Sequence, residues 1–358
     1  MGMSVMKARL GRSSRLSCRL SAGFTIATIF FLVTTALWVT PAVAQVTIKM
    51  ATLAPEGSSW HLILKEAADQ WKKISNGRVS VIIYPGGVAG DDPDVVRKIK
   101  LGTLQAGVLT AVGVAEIDKS VYALGVPMMY SSYDEVYAVL EKMRPRLESN
   151  IEKQGFVVLN WADAGWVHYF TQKPVTTPDD LKKLALFTWA NDTDSIEILK
   201  AIGFNVRPLP STEIATALQT GLVTAVPVSP QVAVIAQYFN YAKNMTDMNW
   251  ELLLGATVIH KSVWDRIPAD LHAQLLQAMQ DAGKKLQDDM RRGGERDVAA
   301  MKVRGLNVVP VDAKAREAWT RLVESVYPMI RGRIVPAEAF DEAMKYRDEY
   351  RKRAGTAK

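Results

Sequence analysis

The chain has 358 residues, 48% hydrophobic and 23% charged, a globular mixture long enough for two domains. Its formal charge of +7 reflects 44 Lys+Arg against 37 Asp+Glu, yet residues 1–44 hold five of the basic side chains and no acid. The remainder stands at 39 against 37, a balance that makes no case for nucleic-acid binding.

The N-terminal "MKARLGRSSRLSCRL" contains Lys7, Arg9, Arg12, Arg15 and Arg19. An apolar run from Ala22 to Val39 and the sequence Pro41-Ala42-Val43-Ala44 follow. A basic start, an apolar middle and an A-x-A end predict a cleavable signal peptide over residues 1–44, cut after Ala44. The rival reading is an uncleaved anchor, because the run approaches a membrane-spanning length; the A-V-A ending favours cleavage. Cys18, the single cysteine, precedes the apolar run and is not placed as a lipoprotein cysteine. An exported chain without disulfides must be held together by its core.

From Val46, "VTIKMATLA" alternates as a strand. "SSWHLILKEAADQWKKISNG" is a helix, with Ser58 and Ser59 as cap candidates and Asn76-Gly77 suited to a left-handed end. "RVSVIIYPGG", "DDPDVVRKIKLGTL" and "QAGVLTAVG" continue as strand, helix and strand. This alternation predicts a parallel α/β sheet with a ligand crevice at the carboxyl ends of its strands. "MYSSYDEVYAVLEKMRPRLESNIEKQ" is a capped helix or a helix pair, and Phe156–Trp161 a continuous apolar strand.

A change of domain is expected near Ala162–Trp166 and a return near Asn249–Val258. The predicted organisation is therefore residues 45–163 plus about 250–290 in one α/β domain, and 164–249 plus about 291–335 in a second. A C-terminal helix and frayed tail take 336–358. The segment 262–305 reads as a long helix, kinked near Gly293-Gly294. "LPSTEIATALQTGLVTAVPVSPQ", residues 209–231, reads as a polar turn, a short helix and an apolar strand that delivers a loop into a cleft.

Most candidate chemistry fails on residue type. His61, His168, His260 and His272 lack metal-ligand spacing. "GGVAGDDPD" lacks the lysine of a phosphate loop and the spacing of a dinucleotide fingerprint, so it is a turn with an acidic helix start. "TDSIE" has no nucleophile setting around it. No catalytic residue, cofactor or metal is therefore expected. Aromatic residues concentrate around the crossover: Trp161, Trp166, Tyr169, Phe170, Phe187 and Trp189. Trp161 and Phe170 read as core, whereas Trp166 and Trp189 end apolar strands and read as cleft residues.

The motifs "ATLAPEGSSWH", "NGRVSVIIYPGGVAGDDPDVVRKIKLGTLQAG", "KPVTTPDDLKKLAL", "EIATALQTGLV" and "KSVWDRIPADL" resemble those of solute receptors of tripartite ATP-independent periplasmic (TRAP) transporters, dicarboxylate-receptor type. The resemblance spans nearly all of the chain after residue 44. It implies a periplasmic receptor with two α/β domains, crossover strands and a long connecting helix, a periplasmic-binding-protein-like fold. It also implies delivery of the solute to TRAP membrane subunits.

The departures from the family pattern concern the ligand. Phe187, in "KLALFT", falls where the family's carboxylate-binding arginine lies, and His168, in "WVHYFT", falls at a second basic position. The family's polar "DGQEN" becomes "TAVPV", Thr224–Val228. Phenylalanine cannot replace the five-donor fork of arginine against a carboxylate. The expectation is a neutral or hydrophobic solute met by Trp166, Phe187, Trp189 and Val228. His168, Thr188, Asn191 and Asp192 would orient a polar end, with Glu56 as a further contact. Binding of a small carboxylate through Arg207 or Lys173 is the alternative, and a secreted hydrolase using the same cleft a more distant one. A tetratricopeptide-repeat lipoprotein partner is implied by the resemblance alone.

Overall fold

The computed structural model describes residues 45–356, so the signal-peptide reading of residues 1–44 lies outside the described residues. Two sheets organise the chain. The first runs in the order β2-β1-β3-β10-β4, built from β1 (Val46–Thr52), β2 (Val79–Tyr84), β3 (Ala106–Thr110), β4 (Phe156–Trp166) and β10 (Leu252–His260). The second runs β11-β9-β5-β8-β6-β7. Its strands are β5 (His168–Thr171), β6 (Ala185–Trp189), β7 (Asn205–Leu209), β8 (Ala225–Val228), β9 (Asn244–Asp247) and β11 (Asn307–Pro310).

The sheets are mixed rather than wholly parallel. β1 is parallel to β2 and β3, as strand-helix-strand units require, but β10 lies antiparallel between β3 and β4. The reason is topological: β10 returns from the second sheet and enters the first in the opposite sense. In the second sheet β5 is likewise antiparallel to β8 and β9.

Local sequence sets the helix ends. Ser58 caps the helix Ser59–Ile74 through the His61 amide, and Asn76 and Gly77 adopt φ of 51° and 79° beyond its end. Residues Tyr133–Lys153 form one helix through Pro145, not a pair. The helix Ala269–Val303 continues through Gly293 and Gly294. Its first half packs Leu271, Leu275, Met279 and Leu286 against the first sheet, and Met301 joins the core of the second. The predicted frayed tail is instead helical to Thr356, held by Arg351, which bonds Glu135 and the Met129 carbonyl.

Two strands cross between the sheets. β4 passes into β5 through Val167 alone, and β9 passes into β10 through 248–251. The crossings are hydrogen-bonded to one another, Val167 N–H to Glu251 O at 2.8 Å and Trp250 N–H to Val167 O at 2.9 Å. Gly165 sits at this hinge with φ 88°, a backbone state that a side chain would strain.

Candidate functional site

A cavity of about 540 Å³ lies between the sheets. Thr52, Thr110, Trp189 and Val228, the last residues of β1, β3, β6 and β8, all line it. It thus occupies the carboxyl-end crevice that open α/β sheets provide. Tyr122 and Val126 close one side, Val232 and Ile235 another, and Trp250 to Leu254 of the crossover form part of the wall. Val323, Val326 and Ile330, which follow the long helix, complete it.

The wall is overwhelmingly apolar. Phe187 is 2% exposed and meets Trp189 edge-on, with ring centroids 5.9 Å apart. Among the described residues that line the cavity there is no lysine, arginine or histidine; Asp192 and Glu251 are its charged types. Arg207 pairs through β7 with Phe187, but its guanidinium turns to Asn205 Oδ1 at 2.5 Å and the Val206 carbonyl at 3.1 Å. Lys173 is exposed and does not line the cavity.

Of the residues singled out from sequence, Phe187, Thr188, Trp189, Asp192 and Val228 line the cavity. Trp166, His168, Asn191 and Glu56 do not, and each is one position from a residue that does: Val167, Tyr169, Asp192 and Pro55. For Trp166 and His168, which are in strands, successive side chains take opposite faces, so a phase error of one residue moves a side chain out of the site; Glu56 and Asn191 are in turns. Trp166 packs on Tyr133 at 5.6 Å within the first core. His168 is buried with Nδ1 3.2 Å from the Thr246 carbonyl, and burial holds its pKa below the usual value, which keeps it neutral. Asn191 and Glu56 are exposed. Glu251 gave no sequence signal, because nothing local marks a single acid in "MNWELLLG" as a cavity residue.

At the cavity mouth the lobes touch through polar bonds. Asp91 Oδ2 accepts from Ser211 N–H at 2.8 Å and Asp91 Oδ1 from Ser211 Oγ at 2.7 Å. Asp91 also caps its own helix at the Asp92 amide, 2.9 Å. The acidic turn "AGDD" and the "PST" turn therefore form a contact across the cleft. Behind the hinge, buried Asp163 accepts from the Tyr137 hydroxyl at 2.6 Å and the Gly165 amide at 3.0 Å. No cluster of potential metal ligands occurs among the described residues.

Two lobes thus flank one cavity, an arrangement that can hold a small molecule between them. Residues 50–332 match the family described as bacterial extracellular solute-binding protein, family 7, and the chain belongs to that family. It is a TRAP-type receptor for small solutes and not an enzyme. One relative is the C4-dicarboxylate-binding periplasmic protein DctP of Rhodobacter capsulatus, 26% identical over 74% of this chain and 80% of its own. Another is the 2,3-diketo-L-gulonate-binding periplasmic protein YiaO of Escherichia coli K12, 24% identical over 80% of this chain and 88% of its own. Among solved structures, the TRAP solute-binding protein of Ralstonia eutropha H16 with bound (S)-2-acetolactate superposes with TM-score 0.79 at 21% identity, covering 85% of this chain and 99% of that one. That of Sulfurospirillum deleyianum with bound succinate gives TM-score 0.77 at 22% identity, with the same coverage.

Proposed function

We propose that this receptor takes a predominantly apolar solute, unlike the relatives whose names specify organic acids. The observation that carries the reading is the cavity wall: no cationic side chain faces the space among the described residues, and Phe187, which on the sequence resemblance aligns with the family's carboxylate-binding arginine, lines it. A carboxylate placed there would lie unpaired against Phe187, Trp189 and Val228, at a cost of roughly several kcal/mol. Arg207 and Lys173, which would serve a carboxylate-binding reading, are both outside the wall. A wall of aromatic and aliphatic groups with Thr52, Thr110 and Thr188 as scattered hydroxyls suits an apolar molecule with a small polar end.

On this reading residues 1–44 direct export to the periplasm and are removed after Ala44, which the intact mass of the exported protein would check. The reading keeps the division into 45–163 plus about 250–290 and 164–249 plus about 291–335, and the strand crossings at Val167 and 248–251 support it. TRAP membrane subunits receive the solute, and a tetratricopeptide-repeat lipoprotein is a candidate accessory partner, testable by co-purification. The decisive experiment is native mass spectrometry of the purified protein followed by organic extraction. A co-purified apolar molecule supports the reading. Tight calorimetric binding of succinate by the emptied protein would sink it.

A further inference from the structure

One end of the cavity is polar. Tyr122, Asp192 and Glu251 line it together. Glu251 is part of the crossover, its carbonyl bonded to the Val167 amide at 2.8 Å, so its position is fixed by the hinge itself. Its carboxyl makes no hydrogen bond and no ion pair among the described residues. The side chain keeps some accessible surface because it faces the cavity, while surrounding protein desolvates it. Asp192 spends one oxygen on the Ser195 amide, 3.1 Å away, and lies beside the Tyr122 hydroxyl. The neighbouring cations are committed elsewhere. Lys119 and Arg333 both pair with Asp194, at 2.8 and 3.1 Å, and Arg333 also binds Glu197.

Two carboxyl groups thus meet an apolar space with no cation in its wall, and one of them has no partner. An unpartnered carboxyl in such surroundings is unfavourable unless something entering the cavity supplies a donor. We propose that the solute carries a protonated amine on an otherwise apolar body, seated with its ammonium group between Asp192 and Glu251. This assignment rests on the apolar reading of the cavity. An ammonium fits better than a hydroxyl because it offers three donors and offsets the negative potential of both acids. Because Glu251 is on the crossover strand, the same contact would ligate the hinge directly and favour the closed arrangement.

A protonic signature follows. Burial, reinforced by Asp192, raises the Glu251 pKa to about 8, so the empty cavity holds it protonated near neutrality. An incoming ammonium favours the carboxylate and expels that proton. The other titratable groups facing Glu251 are Asp192, Tyr122 and Tyr169; burial lifts both tyrosines well above their ordinary value, so they remain protonated.

The test is titration calorimetry of the emptied receptor with octylamine, 1-octanol and octanoate, run near neutral pH in two buffers of different ionisation enthalpy. Octylamine should bind about tenfold or more tighter than octanol, with octanoate weakest and nearly one proton released per amine bound. In Glu251→Gln the preference for amine over alcohol should collapse and proton release should vanish. Octanol binding as tightly as octylamine, or proton release unchanged in the variant, would overturn the ammonium assignment and leave the apolar reading standing. Octanoate binding tightest would overturn both.

Discussion

Closure of the cleft should depend measurably on one hydroxyl. Ser211→Ala removes the 2.7 Å bond from Ser211 Oγ to Asp91 and leaves the 2.8 Å bond from the amide. Asp91 is 7% exposed, so in the closed form water cannot fully replace the lost donor. A hydrogen bond to a charged acceptor contributes about 1.5–3 kcal/mol in a buried setting. Asp91 is hydrated when the lobes part, so the net effect on closure should fall near the low end, about 1–2 kcal/mol, or roughly five- to thirtyfold in the opening equilibrium. The contact is otherwise tight: a Cβ added at Gly87 would lie 2.9 Å from Thr212 Cγ2, which leaves little room for a compensating shift. The assay is native-state hydrogen exchange of the segment containing Ser211 and Thr212, whose amides should exchange faster by the same factor. Asp91→Ala should have the larger effect, and adding Ser211→Ala to it should change little further. Exchange unaltered by Ser211→Ala, or additive effects of the two substitutions, would refute the bond as a closure contact.

Three further outcomes are expected. Gly255→Ala should weaken the first sheet severely, by about 3 kcal/mol or more, since its Cβ would stand 2.2 Å from the Leu109 carbonyl oxygen, a backbone atom that cannot swing aside; thermal denaturation within a few degrees of the parent would contradict this. Tyr137→Phe deprives buried Asp163 of its hydroxyl donor and should cost about 1–3 kcal/mol, read as a lower urea midpoint; replacing Asp163 with Asn as well should recover part of the loss. Stability should also fall as pH rises from about 7 to about 8. Glu251 is raised from 4.5 to about 8, so the folded protein retains a proton that the unfolded chain has already lost. Asp92, raised to about 7, adds the same sign at lower pH, and His168, lowered from 6.5, acts in the opposite sense below that value. Asp92 still titrates just above pH 7, so the contribution of Glu251 is read as the difference between the parent and Glu251→Gln. Urea midpoints that still fall by the same amount there in Glu251→Gln would show that another group carries the effect.

Much of the framework was legible in local sequence, because local physics decides it. Ser58 and the Asn76-Gly77 pair mark the ends of their helix through capping and left-handed backbone preference, which depend on a few neighbouring residues. The crossings at Val167 and 248–251 fall beside the expected stretches, the first one residue past Ala162–Trp166 and the second overlapping the start of Asn249–Val258. Phe187, singled out in the sequence, lines the cavity.

Which residues around the crossings face the solute was not readable. Trp166 and His168 each fall one position from a lining residue, because the facing direction at a strand crossing is set by the hydrogen-bond register between two distant strands, while Asn191 and Glu56 lie in exposed turns beside the wall. The meeting of Asp192 with Glu251, and of Asp91 with Ser211 across the cleft, joins residues far apart in the chain through the packing of two lobes. Sequence alone determined most of the helices and strands and the family resemblance, because each rests on local pattern. Only the tertiary structure decided that Glu251 of the crossover and Asp192 at a helix start share the cavity wall, because burial and proximity arise when the sheets come together.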